Sequence, residues 1–251
     1  MTTQITTETR LPPEQWIDRL SPADALVLML DSQAGAIDAV RAALPQIEAS
    51  VEALYQRLST VRTARLIYCG AGTSARIAVQ DGAELLPTFN WPQARIGYII
   101  AGGMGALITA VEGAEDSEDE ARQAVISTAI NPDDCIIGLA ASGKTRFTCA
   151  ALEAAKDAGA LTIAISNNPE TGLLECAAYP VVLNTGAEAL AGSTRLKAGT
   201  AQKICLNLIS TQLMARLGYV KDGLMTHMIP ANEKLRRRKQ EIEAMLAENS
   251  R

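Results

Sequence analysis

Two segments of this sequence combine an apolar run, glycine and small hydroxyls in an order that suits an anion. Leu66-Ile-Tyr-Cys69 leads into Gly70-Ala-Gly-Thr-Ser-Ala-Arg76, and Cys135-Ile-Ile-Gly-Leu-Ala140 leads into Ala141-Ser-Gly-Lys-Thr145. Each reads as a strand, a tight turn and a helix start. N–H groups at a helix N-terminus lack internal partners and carry partial positive charge, so such turns hold phosphate. Glycine lets the backbone approach closely, and Ser or Thr adds donors. The candidate contacts are Gly72, Thr73 and Ser74 in the first turn, with Ser142, Gly143, Lys144 and Thr145 in the second. One such turn is a helix cap about as often as a ligand site. Two at one edge of an open α/β sheet favour a site.

The stretch Gly138 to Thr145 also fits the pattern GxxxxGK[ST] letter for letter. In a P-loop the first glycine ends the strand, whereas here the apolar run continues through Leu139 and Ala140. The later strands end in Ser166-Asn-Asn and Asn184-Thr-Gly, with no Asp to hold magnesium. A nucleotide-free hydroxyl nest fits better.

Glutamates supply the second half of the chemistry. Glu84 lies in Asp81-Gly-Ala-Glu-Leu-Leu-Pro-Thr88 and Glu115 in Val111-Glu-Gly-Ala-Glu-Asp-Ser117. Both are expected on connections, where functional groups concentrate. Taken singly, each reads as a solvated acid or a cap. Beside two phosphate nests, the pair would suit acid and base catalysis on a phosphosugar. A third acid, Glu188, precedes a long helix, with Ser193, Thr194 and Lys197 as further candidate contacts.

The elements that must position these groups follow from pattern. The chain has 251 residues, 48% apolar and 20% charged, enough for one large domain with helical additions. Its net charge of −5 excludes the broad basic face of a nucleic-acid binder, and 4% aromatics exclude a ring-lined carbohydrate groove. The longest uncharged stretch, Ile96 to Val111, holds four glycines and is too short to span a membrane. No secretory leader is evident at the N-terminus. Five scattered cysteines and one histidine point to neither a disulfide framework nor a metal site, and a reducing cytoplasm is expected.

Ser21-Pro22 marks a helix start, and helical periodicity runs on to Leu58 with a break near Pro45. From Arg65, apolar runs alternate with helical segments, as in parallel α/β units. Strands are expected at Leu66–Cys69, Ile96–Ile100, Cys135–Ala140, Leu161–Ser166 and Val181–Leu183. Helices are expected near Ser74–Glu84, Glu118–Ala129, Thr145–Ala158, Thr171–Ala177 and Leu196–Leu217, the last mostly apolar and therefore central. A charged helix closes the chain from about Asn232, where Lys234, Arg236, Arg237, Arg238 and Lys239 read as a solvated face. His227 reads as structural. The fold class is α/β, with a mostly parallel five-stranded sheet in a three-layer αβα sandwich. Residues 1–60 form a helical extension, 61–220 the sheet domain and 221–251 a helical segment.

The segments Gly70–Arg76, Ala83-Glu84 with Pro87-Thr88, Ala101-Gly-Gly103, Glu112-Gly-Ala-Glu-Asp-Ser117, Ala140–Thr145, Gly192–Lys203 and Asn232-Glu-Lys-Leu235 resemble N-acetylmuramic acid 6-phosphate etherases. These are sugar isomerase (SIS) domain proteins related to the glucokinase regulatory protein. The likeness runs collinearly over about residues 11 to 240, with Gly192–Lys203 and Glu-Gly-Ala-Glu-Asp its most specific blocks. Ala75 and Lys144 stand where the family usually has Gly and Arg, and Ala83-Glu84-Leu85-Leu86 replaces Ser-Glu-Cys-Pro. Thr226-His227-Met228 replaces Val-Asp-Val. Typical members also carry a further small helical region.

The resemblance implies an SIS fold, a homodimer with its site near the interface, and cofactor-free cleavage of the lactyl ether of N-acetylmuramic acid 6-phosphate. It matches the two catalytic glutamates to Glu84 and Glu115. Glu115 is assigned as base at C2 and Glu84 as acid at the ether oxygen, although the roles can be exchanged. To act as an acid near neutrality, Glu84 needs apolar surroundings that favour its protonated form, which Leu85 and Leu86 suit. Two other readings stay open. Glu188 resembles the base-bearing segment of aminosugar isomerases, and a phosphosugar-sensing regulator needs the nests alone.

Overall fold

The computed structural model describes residues 5–109, 111–230 and 233–248. Helix α1 (Pro22–Ala42) starts where expected, the Ser21 hydroxyl accepting from the Asp24 amide with proline in the first turn. Pro45 cannot donate within a continuing helix, so the chain breaks at Ala43 and restarts as α2 (Leu44–Thr60). Then come β1 (Leu66–Gly70), α3 (Gly72–Phe89), β2 (Ile96–Ile100), α4 (Glu118–Ser127), β3 (Cys135–Ala140), α5 (Arg146–Asp157), β4 (Leu161–Ser166), α6 (Gly172–Glu175) and β5 (Tyr179–Val182). The long helix α7 (Lys197–Arg216), a small hairpin of β6 (Val220–Lys221) and β7 (Leu224–Met225), and α8 (Glu233–Glu248) complete the chain.

The five main strands pair in the order β2-β1-β3-β4-β5, all parallel. Alternation along each strand feeds two cores. Leu66, Tyr68, Ile137 and Ile165 join α1, α2, α3 and α7 on one face; Ile67, Cys69, Ile136 and Ala164 join α4, α5 and α6 on the other. Helix α7 is buried around most of its girth, through residues such as Ala201, Cys205, Ile209 and Leu213, because α1, α2 and α3 all pack on it. The sequence boundary at residue 60 therefore divides the chain but not the core, since α1 and α2 share one cluster with the sheet.

Among the boundaries that differ from the sequence reading are those of α3 and β5. Helix α3 extends to Phe89 although Pro87 lies in its last turn. Burial of Leu85 and Phe89 holds it, and Asn90 in the left-handed region ends it. Strand β5 starts at Tyr179, two residues early, because its register with Ile163–Ser166 decides the pairing and Pro180 is tolerated on an edge strand. The His227 side chain is exposed, its ring 4.8 Å from that of Tyr219. On α8, Arg237 is exposed and pairs with Glu241, as on a solvated face.

Gly138 lies inside β3, and a Cβ there would stand 2.7 Å from Leu152 Cδ1 of α5. The glycine serves strand–helix packing, so the P-loop pattern is a coincidence of spelling. Gly138→Ala should cost roughly 1–3 kcal/mol by overpacking, read as a lower urea midpoint at unchanged slope. An unshifted midpoint contradicts this packing role.

Candidate active site

In a sheet of order 2-1-3-4-5, successive connections leave on opposite faces between β1 and β3, opening a crevice at their C-terminal ends. Both Gly-rich turns flank that crevice. At the first, β1 ends at Gly70, where a Cβ would meet the Leu139 carbonyl at 3.1 Å and the Ala75 amide at 3.2 Å. Gly72 then turns with φ +54° and has open space on its side-chain side. At the second, Gly143 has φ +67°, and a Cβ would fall 2.2 Å from Thr171 Oγ1. The backbone at this turn accepts no other residue. Ser142 Oγ accepts from the Lys144 amide at 3.2 Å, which holds the turn closed.

Helices α3 and α5 open on the crevice, and their N-termini, like those of α2 and α6, lack a side-chain capping bond. Ala71 and Thr145 occupy the cap positions, and neither makes a side-chain capping bond. By contrast α1 is capped by Ser21 and α4 by Ser117. The first-turn amides at the crevice thus keep their capacity for an external acceptor, joined by Thr73, the largely buried Ser74 and Thr145.

The segment before α7 closes the same edge. The side-chain position of Gly199 lies 3.3 Å from the Thr194 carbonyl and 3.5 Å from Thr73 Cγ2, so the Ser193–Thr194 loop abuts the first nest. Glu188 does not join the site as the sequence suggested. Its side chain is 0% exposed and accepts from the Lys197 amide at 3.1 Å and the Ala198 amide at 2.8 Å. A carboxylate so engaged caps α7 and repels a phosphate rather than holding one. Lys197 is likewise drawn inward. Its Nζ donates to the Ala187 carbonyl at 2.7 Å, and burial pushes the ammonium below the usual lysine range, opposed by Glu188.

The two paired glutamates stand apart within one chain. Glu115 sits in a 3-10 turn (Ala114–Asp116) between β2 and α4, exposed, with Ala114 buried in the α5-side core. Glu84 is not on a connection. It lies inside α3 on the opposite face, exposed, twelve residues beyond Gly72 (84 − 72), or about 18 Å along the axis. The apolar cover expected from Leu85 is absent, because Leu85 turns into the core while Glu84 faces out. A groove of about 770 Å³ between α2 and α7, lined by Leu44, Ile47, Val51, Ile204 and Leu208, includes none of these residues.

Other chemistries lack their groups. Burial pushes the half-buried thiols up, Cys149 to about 11 and Cys176 to about 12, so neither is a thiolate nucleophile at neutral pH. Among the described residues, no cluster of three His, Cys, Asp or Glu side chains is arranged to hold a metal. Residues that sequence reasoning passed over are Asn167 and Asn168, buried at the end of β4 beside the second nest.

Residues 46–156 match the glucokinase regulatory protein N-terminal SIS domain, and residues 109–211 match the SIS domain. The chain is 46% identical over 235 residues to an N-acetylmuramic acid 6-phosphate etherase of Deinococcus radiodurans, covering 94% of this chain and 76% of that protein. It is 42% identical over 241 residues to the etherase of Streptomyces coelicolor, covering 96% and 77%. Among solved structures, a phosphoheptose isomerase from Francisella tularensis superposes with a TM-score of 0.58 at 21% identity, covering 80% of this chain and 100% of that one. The sugar isomerase domain of an RpiR transcription factor from Sphaerobacter thermophilus superposes at 0.52, also with 21% identity, covering 86% and 97%. These two likenesses establish a shared fold.

If Glu188 is a cap, Glu188→Gln should lower stability by about 1–3 kcal/mol, since an amide NH₂ would face a helix N–H. Urea unfolding reads this. Unchanged stability with lost turnover would instead mark Glu188 as a reacting base.

Proposed function

The chain belongs to the N-acetylmuramic acid 6-phosphate etherase family, and on that premise we propose how its own residues carry the reaction. The reaction releases D-lactate from N-acetylmuramic acid 6-phosphate and leaves N-acetylglucosamine 6-phosphate, a step in recycling cell-wall sugars. The observation that carries the assignment of the site is the pair of uncapped helix N-termini at the β1/β3 crevice. They suit the substrate's phosphate, with Gly72, Thr73, Ser74, Ser142, Gly143, Lys144 and Thr145 around it and Ser193 and Thr194 at the rim.

Ring opening exposes an aldehyde that acidifies the proton on C2. Glu115 takes that proton, and Glu84 protonates the lactyl oxygen as the C3–O bond breaks. This gives an unsaturated aldehyde and free lactate. Water then adds at C3, its proton passing to the Glu84 carboxylate, while Glu115 returns a proton to C2. Each positioned transfer contributes about 10²–10⁴-fold.

Because α3 carries Glu84 away from the sheet edge at which Glu115 sits, the working site draws on two copies, with Glu84 reaching the other copy's nest. Uncovered apolar side chains support this homodimer. Met104, Ile108 and Val111 on the loop leading to Glu115 are exposed, Ile108 at 91%, as are Leu26, Val27 and Leu30 on α1. A partner would also supply the apolar cover that Glu84 lacks. A phosphosugar isomerase reading loses its base to the α7 cap. Five free thiols fit a reducing cytoplasm. No helix among the described residues is long and apolar enough to cross a membrane.

Incubation with N-acetylmuramic acid 6-phosphate in deuterated water should release lactate and place deuterium at C2 of the product. Glu84→Gln and Glu115→Gln should each lower kcat by about 10²–10⁴-fold. Full activity in both variants contradicts the assignment, and tight binding without lactate favours a sensor.

A further inference from the structure

The turn that ends β4, Ser166-Asn167-Asn168, bonds to three stretches of chain distant in sequence, and all three of its residues are buried. Asn168 is 2% exposed and uses both ends of its amide. Its Oδ1 accepts from the Thr6 amide at 2.7 Å and the Thr6 hydroxyl at 2.9 Å. Its Nδ2 donates to the Ala141 carbonyl at 2.8 Å and to Thr7 Oγ1 at 3.1 Å. Ser166 Oγ fixes the same turn by donating to the Asn168 carbonyl at 2.8 Å and accepting from its amide at 3.1 Å.

Asn167 faces the other way. Its amide N–H also donates to the Ala141 carbonyl, at 3.1 Å. Its side chain donates to the carbonyls of Leu183 and Ala198, each at 3.3 Å, and accepts from Gln202 at 2.9 Å. The Thr7 carbonyl in turn accepts from the Gly192 amide at 3.0 Å. Ala141 opens the second nest, Ala198 lies in the first turn of α7, and Gly192 begins the loop that carries Ser193 and Thr194.

We propose that Asn168, clasping the Thr6–Thr7 segment, is a positioning residue that sets the second nest and the Gly192–Lys197 loop at the spacing a sugar phosphate needs. The inference rests on reading those two segments as the phosphosugar edge. The Asn168 Oδ1 only accepts and its Nδ2 only donates, so only a primary amide satisfies all of these partners. An aspartate of the same size would turn an oxygen toward the Ala141 carbonyl and lose both donated bonds. The N-terminal segment is therefore a part of the site by position, because Thr7 bridges Asn168 to Gly192 directly.

The test compares Asn168→Asp, Thr7→Val and their combination with Ser142→Ala, a nest variant. Steady-state turnover of N-acetylmuramic acid 6-phosphate and competitive inhibition by inorganic phosphate are measured for each. Asn168→Asp and Thr7→Val should each raise KM and the phosphate inhibition constant about tenfold, the equivalent of one hydrogen bond, with kcat changed less. Because both cut the same brace, the double variant should show less than the product of the single effects. Thr7→Val keeps the side chain's size and removes only the hydroxyl that accepts from Asn168 Nδ2, so it carries the test if Asn168→Asp fails to fold. Unchanged KM and phosphate inhibition in Thr7→Val, with Ser142→Ala impaired, overturns the brace while leaving the nest intact. Unchanged values in Ser142→Ala as well overturn the nest reading and the brace with it.

Discussion

Two helix N-termini that open on the β1/β3 crevice without a side-chain acceptor are the constraint on which the proposed site rests. Helices α3 and α5 begin at the crevice between β1 and β3 with their first amides uncapped, while α1 and α4 are closed by serine hydroxyls. An N-terminus that ends on no acceptor is stable only if water or a ligand completes it. The α7 N-terminus lies at the same edge and receives an internal carboxylate, Glu188. At this edge the α7 N-terminus is filled by an internal carboxylate, while those of α3 and α5 are closed by no side chain. The filled position orders α7; the open ones face the crevice.

The placement of the two glutamates is what the proposed two-copy site is built on. A helix that starts at the C-terminal edge of a sheet must run back toward the other edge, so a residue twelve positions on is carried about 18 Å away. Glu84 is such a residue, and Glu115 remains at the starting edge. The exposed apolar side chains at Met104, Ile108 and Val111 lie on the connection that bears Glu115. In the proposed homodimer, a partner that buries the apolar surface would also bring in the second acid.

Much of the fold was legible because it depends on local pattern. Continuous apolar runs marked β1 to β4, and the Ser21-Pro22 and Pro45 signals placed the breaks in the N-terminal helices. Misses came where tertiary register prevailed, as at β5, or where core burial of Leu85 and Phe89 outweighed Pro87. In the site, the Gly-rich turns were readable because positive φ demands glycine within a few residues. Glu188 was misread as a ligand because its partners are backbone amides, which leave no trace in residue type. Asn168 bonds to a residue 162 positions away, and no periodicity or spacing announces such a contact. The Ser-Asn-Asn strand end was visible, yet its meaning depends on a fold already assembled.

The most direct measurement mixes two inactive chains. Glu84→Gln and Glu115→Gln proteins are unfolded together, refolded and assayed for lactate release. If each site draws Glu84 from one copy and Glu115 from the other, half of the dimers are mixed and each has one intact site. Activity should then return to about a quarter of the unsubstituted level. Recovery no greater than the sum of the two variants assayed alone would contradict the shared site.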